Sequence, residues 1–377
     1  MRRRLSTIVA ALLLACVSFD AGAQFSWLFG RTPQPLKVAL VLPFRIYSDK
    51  PSSNFMDFYC GALMAVEEQR DRKRDIVLEV IDYSQYGTKP AELETLLADC
   101  DLVVGPVDPA DVAKVAEICH RREIPFVSPL DRNTAHLARS NPYFFQVPVS
   151  NEHQISNLIS NLDGGNCRVT LIEDSTPDDF AKSVKAALNE EGIRFRRVSY
   201  QISRGRIIVD SLRRALSPNM RNQVIIASET EAFASDVARN LNLIARSENL
   251  DLEVYASGRI RNFDTIDPEV LYNINTHFST SYYIDYYDEQ THSFILKYRA
   301  LYNGEPSPFS FSGYDIFTFF ISALCDLKGT FFDYIDFYTL HLRQGNFRFR
   351  RYGYSGGFEN TRTRDVEYTR DGKVSVY

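Results

Sequence analysis

The amino-acid sequence predicts an α/β protein: two doubly wound parallel-sheet lobes with a short C-terminal β extension. Three observations lead there. The stretch from Cys100 to Asp131 reads as one complete β-loop-α-loop-β unit, strand-length apolar runs alternate with helix-period segments on both sides of it, and the pattern turns to strand-period alternation after His341. A chain of 377 residues, 45% hydrophobic and 24% charged, exceeds one ordinary domain and can bury more than one core.

Taken in order, Lys37 to Leu42 is an apolar strand ended by Pro43. Phe55, Phe58, Tyr59, Ala62, Leu63 and Val66 then share one helical face, with Ser53 or Asn54 as the cap. Ile76 to Ile81 is the second strand, and Leu93, Leu96 and Leu97 mark the second helix. In the central unit, Asp101 to Val104 and Ile124 to Val127 are strands stopped by Gly105-Pro106 and Ser128-Pro129. Between them Asp108 caps a helix, Pro109 suits its first position, and Val112, Val115, Ala116 and Cys119 form its apolar face. Successive right-handed units of this kind bring the strand C-termini to one sheet edge, where open α/β sheets bind ligands.

Phe144 to Pro148 reads as an extended crossing, after which Ser150 caps a helix carrying Ile155, Leu158, Ile159 and Leu162. The alternation restarts with a strand at Val169 to Ile172, a helix opened by Thr176-Pro177-Asp178-Asp179, and a strand at Val224 to Ala227. A helix with Phe233, Val237, Leu241 and Ile244, a strand at Leu252 to Ala256 and an extended run at His277 to Tyr282 complete this half. Helices at Thr291 to Tyr302 and after Pro308 return toward the junction. In the tail, Phe347 and Phe349 alternate with Arg348 and Arg350, and Val366 to Arg370 pairs with Lys373 to Tyr377 across Asp371-Gly372. The plan is a signal peptide (1–23), a linker (24–35), lobe one (36–146, with 291–330 returning across the junction), lobe two (147–290) and a β-rich extension (331–377).

The N-terminus sets the compartment. Arg2, Arg3 and Arg4 precede an apolar run from Ile8 to Val17, and Ala21-Gly22-Ala23 fits signal-peptidase cleavage, which directs the chain to the periplasm. Leu13-Leu14-Ala15-Cys16 resembles a lipobox, so a lipid anchor on Cys16 is the alternative to cleavage after Ala23. No later run is long and apolar enough to span a membrane. Losing residues 1–23 moves the net charge from −5 to −7, which disfavours nucleic acid as a partner. The remaining cysteines, at 60, 100, 119, 167 and 325, are odd in number and lack CxxC spacing; a zinc site is not expected, and small buried core residues are expected rather than a disulfide framework, although one bridge is open.

Ordered motifs give a resemblance covering about Leu36 to Leu324. VALVLPF (38–44), FYCGALMAVEE (58–68), DLVVGP (101–106), IPFVSP (124–129) and YFFQVPVSNEHQ (143–154) together resemble the type I periplasmic binding proteins, the superfamily of branched-chain amino-acid ABC transporter substrate-binding proteins. NFDTID (262–267), SYYIDYYDE (281–289), GYDIFTFF (313–320) and GGFEN (356–360) resemble a branch that often carries an N-terminal LysM module, for which residues 24–35 leave no room. The resemblance implies two lobes closing on a ligand. It also implies small or hydroxyl-bearing residues that hold an α-carboxylate in the loops after VGP and SP, where this chain instead has Val107-Asp108-Pro109 and Leu130-Asp131-Arg132.

Strand ends nominate Phe44, Arg45, Tyr83, Ser84, Gln85, Asp108, Ser128, Asp131 and Arg132 from lobe one as cleft residues. Lobe two adds Glu173, Asp174, Ser175, Ser228, Glu229, Arg259, Tyr282 and Tyr283. Aromatic faces would cover apolar or sugar surface, while Arg and carboxylates orient a ligand through directed bonds. No cofactor is expected, because no P-loop, dinucleotide fingerprint or metal-ligand spacing is present. Gly353-Tyr354-Ser355-Gly356-Gly357 satisfies a G-x-S-x-G string but lacks a later His, which fits a turn between tail strands better than a nucleophile. The expectation is a non-catalytic exported binding protein for a small polar ligand, which is amino acid-like, a short peptide or a peptidoglycan fragment. Its macromolecular partner would be an ABC permease or an envelope protein. The alternative is a cell-envelope scaffold that has lost small-ligand binding, and the tail arginines of FRFRRYGY (347–354) would then meet an acidic partner.

Overall fold

Two seven-stranded sheets, each covered on both faces by helices, make up the protein. The computed structural model describes residues 34–70, 75–163, 165, 167–202, 208–248 and 250–377; the signal-peptide reading, with its Ala23 and Cys16 alternatives, and most of the 24–35 stretch lie outside these. In the first half, β1 (Leu36–Leu42), α1 (Ser53–Arg70), β2 (Ile76–Asp82), α2 (Pro90–Leu97), β3 (Leu102–Val104), α3 (Pro109–Arg122), β4 (Phe126–Ser128) and β5 (Phe144–Gln146) follow one another. Neighbouring strands are parallel, in the order β5-β4-β3-β1-β2.

Strand periodicity builds both cores of this sheet. Leu36, Val38, Leu40 and Leu42 of β1 face α1 and a large aromatic cluster, whereas Ala39 and Val41 face Leu93 and Leu97 of α2 and Val112, Val115 and Cys119 of α3. Asp108 caps α3 as expected, its carboxylate accepting from the Ala110 amide at 3.1 Å. The cap of α1 is Ser52 rather than Ser53 or Asn54: its Oγ accepts from the Phe55 amide at 3.4 Å.

The chain then crosses into the second half: α4 (Asn151–Ser160), β6 (Cys167–Asp174), α5 (Asp179–Glu190), β7 (Arg196–Tyr200), α6 (Val209–Ala215), β8 (Arg221–Ala227), α7 (Glu231–Ser247), β9 (Leu252–Ser257), α8 (Pro268–Asn273) and β10 (Thr276–Thr280). These strands are parallel in the order β10-β9-β8-β6-β7. Ile225 and Ala227 face α4 and α5, while Val224 and Ile226 face α7. Ser150 caps α4 by accepting from the His153 amide at 3.3 Å.

Two helices, α9 (Glu289–Tyr302) and α10 (Pro308–Leu327), lead back and pack on α1 in the first sheet's core, followed by the short α11 (Phe331–Tyr334). Tyr314 donates to Glu68 at 2.6 Å, Tyr302 to the Cys60 carbonyl at 3.1 Å, and Lys297 pairs with Glu68 at 2.6 Å. The β-rich tail divides between the sheets. Strands β11 (Phe349–Arg351) and β12 (Phe358–Asn360) join the first, with β12 parallel to β5; β13 (Arg364–Tyr368) and β14 (Val374–Val376) join the second, with β13 antiparallel to β10. Three segments therefore pass between the sheets: one after β5, one after β10 and one between β12 and β13. Much of the aromatic excess lies here: Phe145 stacks on Phe358 at 4.6 Å and meets Phe320, Phe331 and Phe349 within 5.5 Å. No disulfide joins the five described cysteines.

Candidate functional site

A cavity of about 710 Å³ lies between the two sheets, a size that suits a small organic ligand. The loop after β4 gives it Leu130, Asp131, Arg132 and Asn133, the first crossing gives Val147 and Pro148, and α4 gives Asn151. Glu229, Arg259 and Asn262 come from loops after β8 and β9. Ser281 and Tyr282 lie in the second crossing, and the remaining walls are the first half of α10 and the tail segment 344–347.

Each group is held for a local reason. The carboxylate of Asp131 turns back onto its own loop, accepting from the Asn133 amide at 3.2 Å, while its carbonyl accepts from the Gln146 side chain. Arg132 is half-buried and pairs with no carboxylate among the described residues. Glu229 accepts from Ser257 Oγ at 2.6 Å and lies 3.5 Å from Arg259 Nη1. The Tyr282 ring lies beneath Arg261, 4.8 Å from the guanidinium carbon, and its backbone bridges Gly345.

The deepest wall is tied by Asp315. This fully buried carboxylate accepts amide hydrogen bonds from Arg343, Gln344 and Gly345 at 2.8, 2.8 and 2.7 Å. Burial raises its carboxyl above the ordinary range, against the opposing pull of the three amides. Gln344 reaches the Pro308 carbonyl with its amide nitrogen at 3.1 Å, while its buried Oε1 accepts nothing among the described residues. The cavity thus combines the apolar surfaces of Leu130, Val147, Phe309, Ile316 and Phe347 with one unpaired guanidinium, one Glu–Arg pair and one open carbonyl oxygen.

Three crystal structures share this architecture. A protein from Rhodospirillum rubrum provisionally described as a branched-chain amino acid ABC transporter is 16% identical, with a TM-score of 0.67 over 91% of this chain and 100% of that one. A branched chain amino acid ABC transporter periplasmic ligand-binding protein from Burkholderia xenovorans is 11% identical, with a TM-score of 0.60 over 91% of this chain and 94% of that one. An ABC transporter substrate-binding protein from Desulfitobacterium hafniense in complex with Leu is 16% identical, with a TM-score of 0.56 over 91% and 100%. The chain has the type I periplasmic-binding-protein fold. No protein-family model and no curated protein matches the sequence.

Within this fold, five of the seventeen nominated residues line the cavity: Asp131, Arg132, Glu229, Arg259 and Tyr282. The other twelve lie elsewhere, each for a physical reason. Phe44 is buried against Tyr59, and Tyr83 is buried with its hydroxyl on Asp111 at 3.1 Å. The Arg45 amide and the Ser84 hydroxyl both serve Asp82, and Gln85 is exposed in the same turn. Asp108 is a helix cap, and Ser128 is buried against Thr134 at 3.4 Å. Glu173 is fully buried between Lys185, at 2.9 Å, and Arg197. Asp174 caps its own turn at Thr176, with Ser175 beside it. Ser228 donates to Asp178 at 3.0 Å, and Tyr283 packs on the second sheet's core.

Sequence reading missed Asn151, Asn262, Ser281, Gln344 and the α10 face of Pro308, Ser312, Asp315 and Ile316. A signal for the helix was present: Pro308, Ser312 and Asp315 sit at helical spacing on one side of an otherwise apolar run. None exists for Gln344 and Gly345, whose backbone amides Asp315 holds at the cavity wall, or for Phe347 just beyond them.

Proposed function

We propose that this chain is a non-catalytic, exported binding protein that captures a small polar ligand between its two lobes. The carrying observation is that the cavity takes walls from both sheets and two crossings, so a ligand touching both sides stabilises the closed arrangement by its extra affinity for it. Arg132 suits a carboxylate, Glu229 suits an ammonium or hydroxyl donor, and Leu130, Phe309 and Ile316 suit an apolar body. That set favours a zwitterionic ligand with an apolar part: amino acid-like, a short peptide or a muropeptide, delivered to an ABC permease. Ser355 supports the non-catalytic reading, because its loop leads into the strand β12 rather than a helix. Among the described residues no helix is long and apolar enough to cross a membrane.

The test is thermal unfolding and small-angle scattering against amino acids, short peptides and muropeptides. Saturating ligand at about a hundredfold over Kd adds about 2.7 kcal/mol of stability, and closure reduces the radius of gyration. Arg132→Gln and Glu229→Gln each weaken the responding ligand by about tenfold or more. No stabilisation and no compaction by any member of the panel would sink the reading. The scaffold alternative then gains, favoured by the tail segment 344–347 that the protein already places in its own cleft.

A further inference from the structure

A second cavity, of about 640 Å³, lies where the tail passes from one sheet to the other and shares no residue with the interlobe site. Its walls include Arg348 and Arg350 beside and on β11, Arg362 in the last crossing, Asp336 and Phe337 after α11, and Asn157 and Asp365 from the second sheet's side. Period-two geometry puts Phe347 and Phe349 in the core and turns Arg348 and Arg350 outward together, so two like charges share one strand face.

These guanidinium groups outnumber the two carboxylates, Asp336 and Asp365, that line the cavity with them. Among the described residues, the side chains of Arg348, Arg350 and Arg362 donate to no acceptor and pair with no carboxylate. Two nearby acids are engaged: Asp365 accepts from Asn157 at 2.6 Å and Ser279 at 2.9 Å, and Glu359, opposite Arg350 in register, is taken by Tyr352 and His153, while Asp336 in the wall has no bonded partner among the described residues. Two aromatic rings, Phe337 at 78% exposure and Tyr377 at 74%, edge the cavity and offer flat apolar faces to solvent. Unpaired arginines, carboxylates able to accept from hydroxyls, and exposed rings are together the recognition chemistry of an acidic sugar.

We propose that this cavity is a second binding site, for a saccharide bearing carboxylate or phosphate groups. Arg348, Arg350 and Arg362 take the anionic groups, Asp336 and Asp365 accept hydrogen bonds from hydroxyls, and Phe337 covers a ring face. Because the walls come from both sheets and the crossing between them, occupancy favours one angle between the lobes, and a ligand in either cavity changes affinity in the other by the same factor.

Calorimetric titration at low and at physiological salt tests this, using trigalacturonate as the carboxylated probe, glucose 6-phosphate as the phosphorylated probe and maltotriose as the neutral one. The expected result is binding of at least one anionic probe, weakened by salt and by about tenfold or more in R350Q and R362Q, with K182Q, exposed and outside the cavity lining, unchanged. Binding of trigalacturonate alone assigns a carboxylated sugar, and of glucose 6-phosphate alone a phosphorylated one. Absence of binding by both, equal binding of maltotriose, or unchanged affinity in R350Q and R362Q overturns the proposal. The Arg350 and Arg362 side chains hold nothing else in place, so the variants keep the wild-type circular dichroism, and the outcome stands whether or not the interlobe cavity takes a ligand.

Discussion

At the scale of single residues, the side chains that matter most join segments far apart in sequence. His153, in the first turn of α4, lies 3.2 Å from Glu359 on β12, an ion pair across the first and last crossings. The carboxylate beside it raises the His153 imidazole above its ordinary value of 6.5. Burial works to raise Glu359, but bonds from His153, Ser150 and Tyr352 outweigh it and bring the carboxyl to about 2 from 4.5. The histidine contribution is fully present below its unfolded value and fades as pH rises through the raised folded value; the glutamate contribution is present above 4.5 and fades as pH falls toward 2. The pair therefore stabilises most between pH 4.5 and 6.5, and His153→Gln should lose most stability in that window, read by urea unfolding at stepped pH. A loss independent of pH would refute this. Asp315 gives a second expectation: Asp315→Ala leaves three amides, two of them buried, without an acceptor and costs about 3 kcal/mol or more, whereas Asp315→Asn keeps one acceptor oxygen and costs less.

At the scale of elements, close backbone approach sets the packing of the returning helix. A Cβ added at Gly61 of α1 would lie 1.9 Å from the Ser310 carbonyl oxygen, and one added at Gly313 of α10 would lie 2.0 Å from that of Phe58. Backbone cannot yield there as a side chain could, so Gly313→Ala should cost about 1–3 kcal/mol by overpacking despite alanine's better helix propensity. Equal or higher stability in chemical denaturation would contradict this. Both glycines stood inside motifs that pointed to the fold, yet only the crossing of α1 and α10 shows why side chains are excluded. Elements with plain periodicity were legible: β1, α3 with its Asp108 cap, α4 with its Ser150 cap, and the β13–β14 hairpin, although its register is one residue from the expected one, with Tyr368 opposite Val374 and a three-residue turn at 370–372. Others were not. β7, reading Arg196-Arg197-Val198-Ser199-Tyr200, is an edge strand with few apolar residues and gave no signal. The Thr176-Pro177-Asp178-Asp179 segment starts its helix later than expected, because Asp178 is the cap and Pro177 stays outside.

For the whole molecule, the decisive feature is the division of the tail. Residues 341–377 supply the outer strands of both sheets, three buried phenylalanines at 347, 349 and 358, and the third crossing. Deleting them exposes the core around Phe145 and removes the wall that Asp315 holds, so the truncated chain should lose cooperative unfolding and bind hydrophobic dye. A cooperatively folded truncated chain would show that the tail is an accessory after all.

By itself, the sequence determined the features that nearest-neighbour physics controls: strand and helix periods, caps and turn residues, and through their order the two-sheet fold. The tertiary structure decided the site. Only five of seventeen nominated side chains line the interlobe cavity, because strand ends near one sheet edge are also consumed by caps, turns and buried ion pairs, and that competition depends on distances between segments far apart along the chain. The tail arginines show the same divide. Alternation announced that Arg348 and Arg350 would point outward, but only the folded chain reveals that Arg362 joins them, that Asp365 is already engaged, and that a cavity stands open before them.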